Sequence, residues 1–406
     1  MSKVLKFKIV FIIFFQLFVS FCGKKEKVEE ILLNPDDNLV FSTVKIKRVF
    51  KKNYFMEIDL IPYENGLIIG RQKNSNGNIE KYDFSGNLIL KKDLDIGTGM
   101  DKIKHLAGCF YDIHAKNIYE FSFPYVKEFS DDLDSTGNIS RMNLKYPQLG
   151  VGIKLYSPPV SLTNDKTNHL FRFIDYNLSK HSSKSWQRNY GLCESSKDFK
   201  HFKKLISFFT TGNINKVSKI IMNNYYSHKE WAYFPVTFDK KNKKIFILKS
   251  IWIPEFYQID LLSKEKKRFI VDLKNQSYSD SDIIELNNFY KWYMDEVYPK
   301  RLYRILKGKG YKFINKIPET TPFFENILLY KQYLLLFSGA KDFKADTTTV
   351  YVFDKDSIKY LGKMNFPYSG DYYNNSFIFK DYYIDVSMKY DTEDTVFEVN
   401  VYKLEI

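Results

Sequence analysis

The chain has 406 residues, 44% of them apolar and 17% aromatic, which is ample material for a core and excludes an intrinsically disordered polymer. Its formal net charge is +14, from 62 basic and 48 acidic residues. No recognition helix, zinc-ligand array or RNA-binding signature accompanies that charge, so nucleic acid is not an expected partner.

The first element is N-terminal. Lys3, Lys6 and Lys8 precede IVFIIFFQLFVSF (9–21), a run that is apolar except for Gln16 and Ser20. It falls short of the roughly 20 apolar residues of a spanning helix. Its basic flank and length fit a secretory signal peptide over residues 1–21. Val19-Ser20-Phe21-Cys22 resembles the lipobox of bacterial lipoproteins, whose cysteine is acylated and becomes the first residue of the mature chain. Phe21 departs from the small residue usual in that family. An ordinary signal peptide cut nearby and an uncleaved short anchor are the competing readings. The resemblance implies lipid attachment at Cys22, the membrane as a partner and a place in the cell envelope. Gly23, where many inner-membrane lipoproteins carry Asp, implies the outer membrane rather than the inner. Residues 22–38 then read as a charged tether.

Strand signals begin beyond the tether. GLIIGRQ (66–72) is followed by the turn NSNGN and by IEKYDFSG, in which Ile79 and Tyr82 bracket polar positions. LILKKDL resumes the extended pattern, so two strands join at SGN. FYQIDLLSKEKKRFIVDL (256–273) and VYVFDKDSIKYLGKMNF (350–366) repeat the arrangement, placing Tyr82-Asp83, Ile259-Asp260 and Phe353-Asp354 at matching positions. Residues 125–139 and 190–206 are weaker echoes. Further apolar pairs, such as those in 236–250 and 326–339, precede the hairpins. Four strands per unit, at a spacing of about 45–50 residues plus insertions, predict a β-propeller.

The units fall near 54–95, 103–142, 150–207, 231–273, 323–366 and 374–406. The fold class is thus all-β, a six-bladed β-propeller over residues 39–406, with seven blades the alternative count. The last unit lacks a fourth strand, which LVFSTVKIKRVF (39–50) can supply, closing the ring. Insertions are expected near 208–230 and 280–312. In the second, Asp282 and Glu285 suit a helix capping box, and Leu286, Phe289, Tyr290, Tyr293 and Val297 share a face. Pro299 ends or kinks that helix, and Lys300, Arg304 and Lys307 follow on one side. GTG (97–99) lies between β-like runs, without the buried parallel strand and helix that a phosphate loop needs. Gly97 and Gly99 therefore read as a turn between blades.

These hairpins, their spacing and the leader resemble the bacterial six-bladed propellers of the NHL and TolB-like group. The glycine- and proline-rich NHL consensus is absent, and no YWTD or WD motif recurs. The resemblance implies architecture and binding at one channel mouth, and carries over no catalytic residue.

Chemistry is sparse. His105, His114, His169, His181, His201 and His228 form no compact metal-ligand pair, and there is no GxSxG or Walker loop. No catalytic residue, metal or cofactor is assigned. Asp132-Leu133-Asp134-Ser135-Thr136-Gly137 resembles the start of a calcium loop, but Asn143 stands where the bidentate Glu belongs, and a hairpin turn explains these residues. Cys109 and Cys193 can pair in an exported chain. Cys109, in the apolar HLAGCFYDI, reads instead as a buried free thiol. Trp186 and Trp292, beside insertions, are candidate stacking faces for a sugar or peptide, against the alternative of packing between blades. KKNKK (240–244) and KEKKR (264–268) read as solvated turns or as contacts with an anionic surface. Two functions stay open: a membrane-anchored binding or scaffold module for a protein, peptide or glycan, and an exported propeller hydrolase or lyase acting on glycan or peptide at the channel mouth.

Overall fold

The computed structural model describes residues 28–36, 38–54, 58–73, 76–95, 109–112, 115–122, 125–141, 153–156, 168–181, 185–196, 198–213, 220–224, 235–239, 241–248, 250–274, 276–280, 283–284, 312–316, 320–342, 347–367, 376–390 and 395–406, with 97, 99, 102, 103 and 106. Two strands, β1 (Glu29–Leu33) and β2 (Lys45–Tyr54), precede the first sheet. That sheet comprises β3 (Asp59–Tyr63), β4 (Gly66–Lys73), β5 (Asn76–Asp83) and β6 (Leu88–Asp95). The second comprises β7 (Cys109–Asp112), β8 (Asn117–Ser122), β9 (Tyr125–Phe129) and β10 (Ser135–Arg141). The third comprises β11 (Ile153–Tyr156), β12 (Asn168–His181), β13 (Ser185–Ser196) and β14 (Phe202–Asn213), and is followed by β15 (Ile220–Asn224). The fourth comprises β16 (Val236–Asp239), β17 (Lys244–Ile247), β18 (Glu255–Asp260) and β19 (Lys266–Val271), and is followed by β20 (Lys312–Lys316), which pairs with β15 in parallel. The fifth comprises β21 (Phe324–Tyr330), β22 (Tyr333–Asp342), β23 (Thr347–Asp354) and β24 (Tyr360–Pro367). The sixth comprises β25 (Phe377–Phe379), β26 (Tyr382–Tyr390) and β27 (Thr395–Glu405), completed by β2.

Within each of the six sheets, consecutive strands pair antiparallel. Contacts of β3 with β7, β16 with β21, and β21 with β25 set the first strands of the first, second, fourth, fifth and sixth sheets innermost and their fourth strands on the rim. Strands buried on both faces read as continuous apolar runs, and YLLLF (333–337) shows why. Tyr333, Leu335 and Phe337 join the core shared with the sixth sheet, whereas Leu334 and Leu336 join the core shared with the fourth. In the same way Ile68 packs toward the second sheet, and Leu67 and Ile69 toward the sixth. Tyr119 and Phe199, with centroids 5.7 Å apart, link the second and third sheets.

The expected closure is present: β2 runs antiparallel to β27, from Lys45 opposite Glu405 to Tyr54 opposite Phe397. Part of the segment read as a tether is folded. β1 adds to β19 as a fifth, parallel strand, with Glu29 opposite Lys267 and Leu33 opposite Val271. Ion pairs Lys267–Glu29 (3.0 Å) and Arg268–Glu30 (2.6 Å) fix it, and Ile31 and Leu33 pack on the core of the fourth and fifth sheets. Val40 then bridges in parallel to Lys363 of β24. Residues 29–54 therefore run along the rims of three successive sheets. Of the expected 280–312 helix, residues 280, 283 and 284 are helical, and 285–311 lie outside the described residues.

Candidate interaction face

One turn recurs in five sheets, between third and fourth strands. The residue that ends the third strand is Asp83, Ser196, Asp260 or Asp354, and in the second sheet Ser130 stands one position past the strand. Its backbone N–H donates across the turn to the carbonyl of Asn87, Asp134, His201, Glu265 or Lys359, at 2.8–3.0 Å. Its side chain accepts the backbone N–H groups inside the turn: Ser85 and Asn87 on Asp83, Asp132 and Asp134 on Ser130, His201 on Ser196, Leu262 and Ser263 on Asp260, Asp356 and Ser357 on Asp354. Short oxygen-bearing side chains satisfy turn donors in this way. Each turn then passes through positive φ, at Gly86, Leu133, Phe199, Lys264 and Ile358. For the non-glycine residues that costs about 1–3 kcal/mol. Leu133, Phe199 and Ile358 are buried, and a fully buried apolar side chain gains about 1.5–3 kcal/mol, which offsets it.

The described hairpins between first and second strands, in the first, second, fourth, fifth and sixth sheets, lie on the same face as these turns and nearer the inner strands. Among the described residues four of them reach positive φ, and each does so at a lysine: Lys116, Lys243, Lys331 and Lys380. Described residues of these inner turns include Lys116, Lys241, Lys243, Lys331 and Lys380 against the acids Glu64 and Asp381, so the mouth is basic. Several of these groups reach the adjacent sheet. Lys331 pairs with Asp381 (3.4 Å), Lys380 Nζ donates to the Glu64 carbonyl (2.6 Å), and Lys116 pairs with Glu64 (3.1 Å). Between the fourth and fifth sheets Asp239 meets Lys355, and the Asn242 amide donates to Asp356 at 2.7 Å. Exposed pairs of this kind are worth about 0–1 kcal/mol each. Asp239–Lys355 is buried, and although burial opposes ionisation, the hydrogen bonds from Lys355 and Asn242 hold the Asp239 carboxyl below its usual range.

Other buried charges are structural. Lys127 pairs with buried Glu120 (3.4 Å) and donates to the carbonyls of Gly99 (2.9 Å) and Lys102 (2.5 Å). Those carbonyls belong to the link between β6 and β7, where Gly97 N–H donates to the Ile103 carbonyl (3.0 Å). Gly97 and Gly99 thus lie in a link between sheets, with the Lys127 ammonium on the Gly99 carbonyl. Lys81 meets Asp131 (3.1 Å) and Asp132 (2.6 Å), and Lys92 meets Asp134 (2.9 Å). The calcium-like stretch is accordingly a hairpin turn whose acids face lysines of the first sheet.

Cys22 and Trp292 lie outside the described residues. Trp186 is in β13, opposite His181 of β12 and Gly212 of β14. Cys109 and Cys193 are buried thiols outside any disulfide, on β7 and β13. Burial pushes both thiols up, so neither suits nucleophilic work. Among the described residues no group of three His, Cys, Asp or Glu is placed to hold a metal, and no helix is long and apolar enough to cross a membrane. Of the basic inner turns, the sequence singled out only KKNKK (240–244), which holds Lys241 and Lys243. Their signal was a lysine recurring between two apolar runs, as in LLYKQYLLL and FIFKDYYID.

Among the described residues, six sheets that each hold four antiparallel strands, the fourth sheet extended by parallel β1 and the last completed by an N-terminal strand, define an all-β propeller. No protein-family description matches the sequence, and no curated protein resembles it in sequence. Solved structures similar to the chain include the Cps50 (Swd1) β-propeller domain of Myceliophteria thermophila, at 7% identity and a TM-score of 0.35, covering 88% of this chain and 99% of that one. The WD40 domain of SCAP from fission yeast matches at 9% identity and a TM-score of 0.32, covering 89% of each chain. Hsv2p of Kluyveromyces lactis matches at 9% identity and a TM-score of 0.31, covering 85% of this chain and 98% of that one. Likeness this loose bears no functional weight, and the propeller assignment rests on the strand order of the chain itself.

Proposed function

We propose that this protein is an exported, membrane-anchored lipoprotein, held by acylated Cys22, that acts as a binding module for a protein, peptide or glycan bearing acidic groups. The partner docks on the turn-bearing face, at the mouth ringed by lysines. The observation that carries this reading is the repeated placement of a lysine at positive φ in the innermost turns, four times in separate sheets. Oriented cations around a concave mouth focus the field and speed capture of an acidic partner. The basic, apolar leader ending at Cys22 supports the anchor, since several acyl chains hold a protein stably where one is marginal.

Charge reversal tests the mouth. The triple variant Lys243→Glu, Lys331→Glu, Lys380→Glu changes exposed or part-exposed turn positions and is expected to fold. In cells, photo-crosslinkers placed at Gln332 should capture one discrete partner with the wild type and lose it with the variant. Equal capture by both proteins would overturn docking at this mouth.

A further inference from the structure

We propose that the outer rim of the fourth and fifth sheets, where β1 and residues 39–41 lie, rests on anionic lipid headgroups. This builds on the anchor at Cys22. Glu29, the first residue of β1, lies seven residues after Cys22, and seven extended residues reach at most about 25 Å. Strands stand about 4.8 Å apart, so two opposed four-stranded blades alone span about 29 Å before the channel is added. The anchor therefore keeps the rim at β1 within about 25 Å of the membrane surface, a limit that it does not set for the far rim.

The chemistry of that rim matches. Leu262 and Val40 are the two most exposed large apolar residues among those described, at 76% and 71%, and Leu32 follows, level with Ile284, at 61%. Leu262 sits in the turn between β18 and β19, Leu32 on β1, and Val40 at the bridge to β24. Lys264, Lys266, Lys267 and Arg268 lie on β19 or its turn, and Lys359 and Lys363 on or beside β24. The nearby acids are Glu29 and Glu265, both paired with Lys267, and Glu30 and Glu255, both paired with Arg268. Apolar side chains entering the headgroup boundary, flanked by cations, form an interfacial lipid contact. KEKKR thereby gains a role, and the channel axis lies along the membrane plane with the basic mouth open.

The full chain, purified from bacterial membranes, is reconstituted into phosphatidylcholine vesicles with or without phosphatidylglycerol. Intact mass tests the anchor: absence of acyl chains on Cys22 overturns the lipoprotein reading by itself. Hydrogen exchange tests the rim. Peptides covering 29–41 and 260–268 should exchange several-fold more slowly with phosphatidylglycerol present, while 84–92 and 130–141 stay unchanged. Unchanged exchange at the rim, or protection at 84–92 instead, overturns the proposal. Leu262→Glu, at an exposed turn position, should keep its acylation and fold yet lose protection at 260–268; retained protection likewise overturns it.

Discussion

Glu80 sits on β5, almost wholly buried, and accepts hydrogen bonds from Tyr82 Oη (2.8 Å) and Tyr54 Oη (3.1 Å). Lys52 and Lys91 pair with it at 3.1 and 3.3 Å, and Lys52 also touches Tyr82 Oη. Burial alone would raise its carboxyl, but the hydrogen bonds from Tyr82, Lys52 and Lys91 and the charge on Lys52 bring it down to about 2. A carboxyl depressed in the folded state contributes stability that is present above its unfolded value and is lost as pH falls through the folded one. Wild-type stability should thus decline between roughly pH 4.5 and 2, and the decline should be shallower in Glu80→Gln, as read by denaturant titration across that range. In the sequence Glu80 and Lys81 appear only as polar positions between Ile79 and Tyr82, which suggests a solvated edge. Both are buried because their partners come from far away: Lys52 from β2, and Asp131 and Asp132 from the second sheet. No local pattern encodes those meetings.

At the scale of one hairpin, the repeated turn was partly legible. Tyr82-Asp83, Ile259-Asp260 and Phe353-Asp354 share an apolar residue and an aspartate, and the structure places all three at the same point in their sheets. The equivalents in the second and third sheets were faint because Ser130 and Ser196 replace the aspartate. There the left-handed residue is Leu133 or Phe199, which no turn rule favours and which only tertiary burial explains. Asp354→Ala removes the acceptor for the N–H groups of Asp356 and Ser357 and the hydroxyl of Ser357. The expected loss is about 1 kcal/mol, measured as a shift in denaturant midpoint with unchanged slope.

Over the whole molecule the propeller was readable because each sheet repeats the same apolar rhythm, and the incomplete last unit pointed to an N-terminal strand. The addition of β1 was not readable, since EEILL is short, and its partner strand KKRFIV lies more than two hundred residues away. Closure joins the first-made strands to the last. A chain ending at residue 394 leaves β2 and β26 without β27, so it should show no cooperative thermal transition and should elute as an expanded or aggregated species in size-exclusion chromatography. The route of residues 29–54 along three rims also has a mechanical meaning. A pull on the N-terminus loads β1 first, then the single bridge at Val40, and only afterwards β2, which is paired along its length with β27. The sixteen residues 29–44 can pay out as slack, about 55 Å when extended, before the ring itself bears load. The strand that steadies the molecule at rest is thus also its first fuse under tension.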